Sequence, residues 1–129
     1  MENFREFETG PDPFGRTYRV MFKWLQTAIS IRHADTVDVQ FVVNDGTNAL
    51  KRTVAMKDAE LKAHAKKTGR LIDDAWCSRL AAMHLKHMIE TAEDFDKTLV
   101  TLSAAQIAEY DGAIRSWESG EVDQRRKAS

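Results

Sequence analysis

The chain has 129 residues, of which 43% are hydrophobic and 30% charged, and its formal net charge is −1. This composition excludes an intrinsically disordered chain, and the length suits one domain with its own hydrophobic core. The single cysteine excludes an internal disulfide bond.

The first residues are charged and lack the apolar segment of a signal peptide. No apolar run approaches the roughly 18 residues that a membrane-spanning helix needs. We therefore expect a cytoplasmic protein that makes no membrane contact. Charge is unevenly distributed: residues 51–70 carry a net +5 and residues 89–123 a net −7. Two such segments can lie side by side within one fold, or they can attract copies of the chain or a polarised partner.

Both prolines of the chain fall in the segment Gly10–Gly15. Because proline and glycine interrupt regular structure, we expect residues 1–15 to form an irregular N-terminal arm. Residues 16–119 are then a single α+β domain, and residues 120–129 a solvated C-terminal tail.

From residue 16 to residue 56, apolar residues recur at every second position, as in half-buried strands. The alternating positions include Tyr18–Trp24, Ile29–Ile31 and Val37–Val43. An Asp-Gly pair favours a hairpin turn at residues 44–48, and residues 33–36 form a second link. No turn residue occurs near Gln26, so this region is either one long bent strand or a helix; its β-branched and aromatic residues favour the strand.

After Met56 the apolar period changes to that of a helix. Asp58 is expected to cap a first helix that ends at Gly69. A longer second helix is expected from about Asp73 to Thr91, with its acidic start favourable at the positive end of the helix dipole.

The last helix has the clearest start signal of the chain. Ser103 and Gln106 have the spacing of a capping box, and Leu102 can pack against Ile107 across the first turn. Gly120 is expected to end this helix. The predicted fold class is therefore α+β: an antiparallel meander of three to four strands in the N-terminal half, covered on one face by about three helices from the C-terminal half.

Cys77 and His84 lie within about 20° of each other on the second helix, at the centre of its apolar face. We interpret both as core residues. A buried thiol is a poor nucleophile, and a buried histidine needs a hydrogen-bond partner, for which Tyr110 is one candidate. The alternative is a metal-dependent enzyme centred on residues 73–91, with His84, His87 and Cys77 as weak candidate metal ligands and no recognised metal motif.

The turn from His33 to Asp38 places a histidine beside two acids, a pattern that could serve acid–base chemistry or cation binding. Since Asp and Thr are common turn formers, we interpret it as a structural turn.

The basic segment 51–70 is a second candidate surface, for nucleic acid. Four residues in it are weak candidates for phosphate contacts: Lys62, Lys66, Lys67 and Arg70. An isoelectric point near 6.4 and the lack of a known nucleic-acid motif favour a solvated face instead.

Tyr110, Ile114 and Trp117 belong to an apolar stripe on the last helix. Core packing is the preferred interpretation of this stripe, and a partner or dimer interface is the alternative.

No glycine-rich phosphate loop and no nucleophile elbow occur in the sequence, so we assign no catalytic residue and expect no cofactor. The function that we expect is that of a small soluble non-enzymatic protein-interaction or structural module, which could form homo-oligomers. Nucleic-acid binding through residues 51–70 and a metal-dependent enzyme remain the alternatives.

Overall fold

The computed structural model describes residues 4–28 and 35–128 of the chain, with side chains for residues 4–27 and 35–118. It is an α+β fold with a five-stranded sheet and three helices in the described part. The elements in chain order are β1 (Glu6–Thr9), β2 (Tyr18–Ala28), β3 (Thr36–Asn44), β4 (Ala49–Lys57), α1 (Asp58–Thr68), α2 (Asp74–Thr91), β5 (Leu99–Leu102) and α3 (Ala104–Ala128).

The strands lie in the sheet in the order in which they occur along the chain. Strands β1 to β4 pair antiparallel with their neighbours, which confirms the predicted meander. The hairpin between β3 and β4 turns where the sequence predicts it. There the Asp45 carboxylate accepts hydrogen bonds from the backbone N–H groups of Thr47 and Asn48, at 2.8 and 2.7 Å. Gly46 takes the left-handed conformation that this turn requires, with φ of 97°.

Two strands extend the sheet beyond the three or four predicted. The arm of residues 1–15 is not wholly irregular, because Glu6–Thr9 pairs with β2 at one edge of the sheet. At the other edge β5 pairs parallel with β4, after two helices have returned the chain to that edge. Both strands have only four residues. Strand β1 pairs with β2 at one edge, and β5 pairs with β4 although two helices separate them along the chain.

A buried aspartate fixes the turn that follows β1. Asp12 accepts hydrogen bonds from the backbone N–H groups of Phe14 and Arg16, at 2.9 and 2.8 Å, and from the Tyr18 hydroxyl at 2.8 Å. Burial opposes ionisation of this carboxyl, but these hydrogen bonds outweigh it and lower the pKa of Asp12. The arm is therefore tied to the start of β2.

Strand β2 is continuous through Gln26, so the interpretation of this region as strand is confirmed and the helix alternative is wrong. A bulge at Lys23 shifts its register: Phe22 pairs with Phe41, whereas Trp24 pairs with Gln40. The extra residue moves Trp24 to the face opposite that of Phe22. Ile29 and Ile31, which the sequence also placed on strands, lie outside the described residues.

The predicted helix boundaries are partly correct. The N-cap of α1 is Lys57 and not Asp58, which is instead the first helical residue; the helix ends as predicted at a left-handed Gly69. Helix α2 begins after Asp73, whose side chain accepts a hydrogen bond from the backbone N–H of Trp76 at 2.8 Å. The backbone N–H of Asp58 donates to the carbonyl of Asp35 at 2.9 Å, which satisfies one of the free N–H groups at the start of α1.

Helix α3 begins with the predicted capping box. The Gln106 N–H donates to Ser103 Oγ at 3.1 Å, and the Ser103 N–H donates to Gln106 Oε1 at 2.9 Å. The prediction that Gly120 ends this helix is wrong, since α3 continues to Ala128 through most of the expected tail. A glycine inside a helix costs only about 1 kcal/mol relative to alanine, which neighbouring good helix formers can offset.

The core lies between one face of the sheet and α2, with α3 packed on α2. Residues of α2 including Trp76, Leu80 and Met88 share this core with Val37, Val39, Phe41 and Val43 of β3. We call the opposite face of β2 to β5 the outer face; its side chains are exposed or half-buried, apart from Ala55. Within the described residues no helix has the length and apolarity to cross a membrane.

Candidate functional sites

Cys77 lies on the core side of α2 and is only 2% exposed. Burial, reinforced by the charges of Asp74 and Asp73 at the start of the helix, raises the pKa of its thiol to about 12. The thiolate that nucleophilic or metal chemistry requires is therefore scarce at neutral pH.

His84 is buried on the same helix and has a single polar partner among the contacts of the described residues. Its Nδ1 lies 2.8 Å from the hydroxyl of Tyr110 on α3, the partner that the sequence offered as one candidate. Burial, followed by the neighbouring His87, lowers the pKa of His84. Burial also raises the pKa of Tyr110 to about 12. Both groups are thus neutral at physiological pH, and their hydrogen bond joins α2 to α3.

His87 is exposed, and its ring centroid lies 6.2 Å from that of His84. Its Nε2 lies 3.1 Å from a carboxylate oxygen of Glu93. The two histidines line a polar cavity of about 240 Å³ beside β5. Among the described residues no group of three or more His, Cys, Asp or Glu side chains is placed to hold a metal ion. Cys77, His84 and His87 therefore share a helix without forming a coordination site.

The turn at residues 33–38 is only partly described, since His33 lies outside the described residues. Asp35 is exposed, and its backbone carbonyl accepts the hydrogen bond from Asp58. The Asp38 carboxylate accepts a hydrogen bond from the Thr36 hydroxyl at 2.8 Å, a local contact typical of a strand start.

The four basic candidates for nucleic-acid binding have different environments. Lys62 pairs with Asp58 at 2.8 Å on α1. Arg70 bonds to the buried carboxylate of Asp111, with a nitrogen–oxygen distance of 2.7 Å. Lys66 and Lys67 are exposed in the last turn of α1. Two of the four cations are thus occupied within the protein.

Asp111 on α3 is a buried carboxylate that the sequence analysis did not single out; it is 1% exposed. Four side chains contact its two oxygens: His64 Nε2 at 2.6 Å, Arg70 Nη2 at 2.7 Å, Trp76 Nε1 at 2.9 Å and Arg115 Nε at 3.0 Å. Burial opposes ionisation, but these hydrogen bonds outweigh it and hold the pKa of Asp111 well below its usual range. The cluster joins α1, the loop before α2, α2 and α3.

A signal for Asp111 does exist in the sequence. It follows Ile107 by four residues and precedes Ile114 by three, which places it on the apolar face of α3. A carboxylate on a buried helix face needs cationic or N–H partners, so its position predicts such a cluster.

The apolar stripe of α3 divides between core and surface. Tyr110 and Ile114 are buried in the core cluster. Trp117 is half-buried and lines an open groove of about 390 Å³ between α2 and α3. Phe4 and Met83 form other apolar parts of its wall, and Arg79 is a cation at its edge. We call this cavity the helix groove.

The outer face of the sheet presents apolar and cationic side chains together. One row across the strands runs Trp24, Gln40, Thr53 and Leu99, and the adjacent row runs Met21, Val42 and Lys51. Met21 and Leu99 are 49% and 56% exposed. The neighbouring ammonium group of Lys51 lowers the pKa of Lys23.

No protein-family model matches this chain, and no curated protein and no solved structure is significantly similar to it.

Proposed function

We propose that the protein is a cytoplasmic, non-enzymatic protein-interaction module whose docking surface is the outer face of the sheet. One observation supports it most directly: Met21, Trp24, Val42 and Leu99 lie on this face, and none of them belongs to the core cluster or packs against it. Single exposed apolar residues are ordinary at a protein surface, whereas a patch of them in adjacent rows is typical of an interaction site.

The charges of this face favour an acidic partner. Within the described part of the chain, Lys23 and Lys51 have each other as charged neighbours and no carboxylate in ion-pair contact. Arg19, at the margin of the face, is already paired with Glu6 and Glu8 of β1. A carboxylate delivered by a partner would relieve the repulsion between the two lysines, and the apolar rows would bury an adjacent apolar side chain.

The same charges disfavour two other occupants of this face, a second copy of the chain and a nucleic-acid strand. In a face-to-face dimer about a central two-fold axis, the lysine pairs of the two copies would oppose each other, which disfavours a second copy. A nucleic-acid strand would need several phosphate contacts and stacking aromatics. Among the described residues this face offers one aromatic side chain, Trp24; it carries the acid Asp38, and the neighbouring β1 adds Glu6 and Glu8 at its margin.

The proposal is tested by selecting a displayed random peptide library on the native protein. We expect the enriched peptides to combine acidic residues with an aromatic or aliphatic residue. In NMR titrations, such a peptide should shift the indole N–H signal of Trp24, assigned by its loss in Trp24→Phe. The double variant Lys23→Glu/Lys51→Glu should bind about tenfold more weakly or worse, whereas Lys66→Glu/Lys67→Glu on α1 has the same charge change and should bind normally.

Four results would overturn the proposal. Selected peptides could lack acidic residues, or could bind the two double variants equally. Sedimentation could reveal a concentration-dependent dimer that Met21→Glu abolishes, which would make a second copy the occupant. Single-stranded oligonucleotides could bind at the Trp24 signal with an affinity that falls steeply with salt, which would make nucleic acid the ligand.

A further inference from the structure

We propose that the helix groove binds a small amphipathic anion, an alkyl or aryl carboxylate, independently of any partner on the outer face. The groove has a volume of about 390 Å³, which lies within the usual range of small-molecule sites. Phe4, Met83, Ile114 and Trp117 give it an apolar wall from three parts of the chain. Such walls favour the hydrocarbon part of a ligand.

Arg79 supplies the cation for the charged end. Its guanidinium carbon lies 5.3 Å from the ring centroid of Phe4 and 5.4 Å from that of Trp117, so the apolar wall and the charge are adjacent. The Nε atom of Arg79 is buried and has no hydrogen-bond partner among the described residues. Its Nη1 lies 3.6 Å from Glu118, which is too long for a hydrogen bond. A guanidinium with an unsatisfied buried N–H next to a groove can accept an anionic ligand.

The neighbouring charges leave the Arg79 guanidinium incompletely neutralised. Glu118 is shared with Arg70, whose Nη1 lies closer to it, at 3.3 Å. Asp111, the other carboxylate that Arg70 contacts, also bonds to Arg115. Among the described side chains, Glu118 is the one carboxylate in ion-pair contact with Arg79, and it is shared by two guanidinium groups. A ligand carboxylate would supply the missing negative charge.

The second cation of the groove does not compete for the ligand. Lys86 is paired with Glu90 one turn later on α2, with a nitrogen–oxygen distance of 2.6 Å. The positive charge of Arg79 would repel an ammonium ligand, and a neutral apolar ligand would leave the Arg79 Nε without a hydrogen-bond acceptor. The groove therefore selects an anion among amphipathic molecules of one size.

The experiment compares decanoate, decanol and decylamine, which share one alkyl chain and differ in charge. Titrations are followed by the NMR signal of the Trp117 indole N–H, assigned by its loss in Trp117→Phe. We expect saturable binding of decanoate, with decanol and decylamine about 10- to 100-fold weaker. Arg79→Gln should reduce decanoate affinity to that of decanol, and Arg79→Lys should restore part of the difference.

Lys51→Gln, on the outer face, removes one positive charge as Arg79→Gln does and should leave decanoate binding unchanged. Thermal melts of each variant establish that it is folded at the titration temperature. The proposal is overturned if decanoate and decanol bind the native protein equally, if Arg79→Gln binds decanoate as the native protein does, or if the Trp117 signal shows no saturable shift. None of these outcomes bears on peptide binding at Trp24.

Discussion

Trp76 donates its indole N–H to the buried carboxylate of Asp111 at 2.9 Å, and this bond joins the first turn of α2 to the first half of α3. The indole ring also stacks on His64 of α1, with a centroid separation of 6.1 Å. Arg70 lies over the same ring at 5.9 Å and bonds to the same carboxylate. One carboxylate and one indole thus hold the three helices together.

Asp111→Asn should strongly destabilise the protein. The substitution keeps the volume of the side chain but removes the charge that two guanidinium groups face, so we expect the free energy of unfolding to fall by about 3 kcal/mol or more. Urea denaturation measures the change. Glu109→Gln, an exposed neutralising change on the same helix, should alter stability by less than about 0.5 kcal/mol. Equal stability of the two variants would contradict the structural role given to Asp111.

The sequence predicts the parts of the fold that depend on local signals. The alternation of β3 and of the start of β2, the Asp-Gly turn and the Ser103–Gln106 capping box are all read within a few residues of chain, and all occur as predicted. Each of these signals is a direct property of local geometry: side-chain alternation, a turn conformation or a helix end.

The short edge strands could not be predicted in the same way. Glu6–Thr9 has the alternation of a strand, but its four residues become a strand only by pairing with β2 across a proline-rich turn. Leu99–Leu102 pairs parallel with β4, and this pairing depends on how the two helices between the strands return the chain to the edge of the sheet. Non-local pairing, rather than propensity, defines both strands.

The sequence predicts the positions of candidate site residues where they depend on the face of a helix. Helical periodicity placed Cys77 and His84 on the apolar face of α2, where both are buried. Periodicity could not predict the contacts of Arg79 with Phe4 and Trp117, because these contacts join three separate parts of the chain: the N-terminal arm, α2 and α3. The bulge at Lys23 likewise moves Trp24 to the outer face, and nothing in the local sequence marks a bulge there.

Ser103→Ala should measure how much the capping box contributes to the free energy of unfolding. Its hydroxyl accepts the backbone N–H of Gln106, so the substitution leaves that donor without its partner and should cost about 1 kcal/mol of stability. Ser116→Ala is the matched control, because Ser116 is exposed inside the same helix and alanine is the better helix former there. Denaturant titrations of both variants compare the two; a cost at Ser116 equal to that at Ser103 would contradict the capping role.

Cys77 should resist alkylation in the native protein. Since burial raises the pKa of its thiol to about 12, very little thiolate exists even near pH 8. We expect iodoacetamide to leave the folded protein unmodified and to label it in urea, with the products counted by mass spectrometry. Labelling of the native protein at the rate seen in urea would show that Cys77 is accessible and ionised.

His84 should make the protein less stable as the pH falls from about 7 to about 5.5. In the unfolded chain a histidine takes up a proton near pH 6.5, whereas burial lowers the pKa of His84 in the folded protein. A group whose pKa is depressed by folding contributes stability above its unfolded pKa and loses it as the pH falls toward the folded value. The free energy of unfolding, measured by denaturation at several pH values across this range, should therefore depend less on pH in His84→Gln than in the native protein. His87→Gln removes the smaller of the two causes that lower the pKa of His84 and leaves its burial, so most of the pH dependence should remain. A pH dependence unchanged in His84→Gln would show that His84 is not the group responsible.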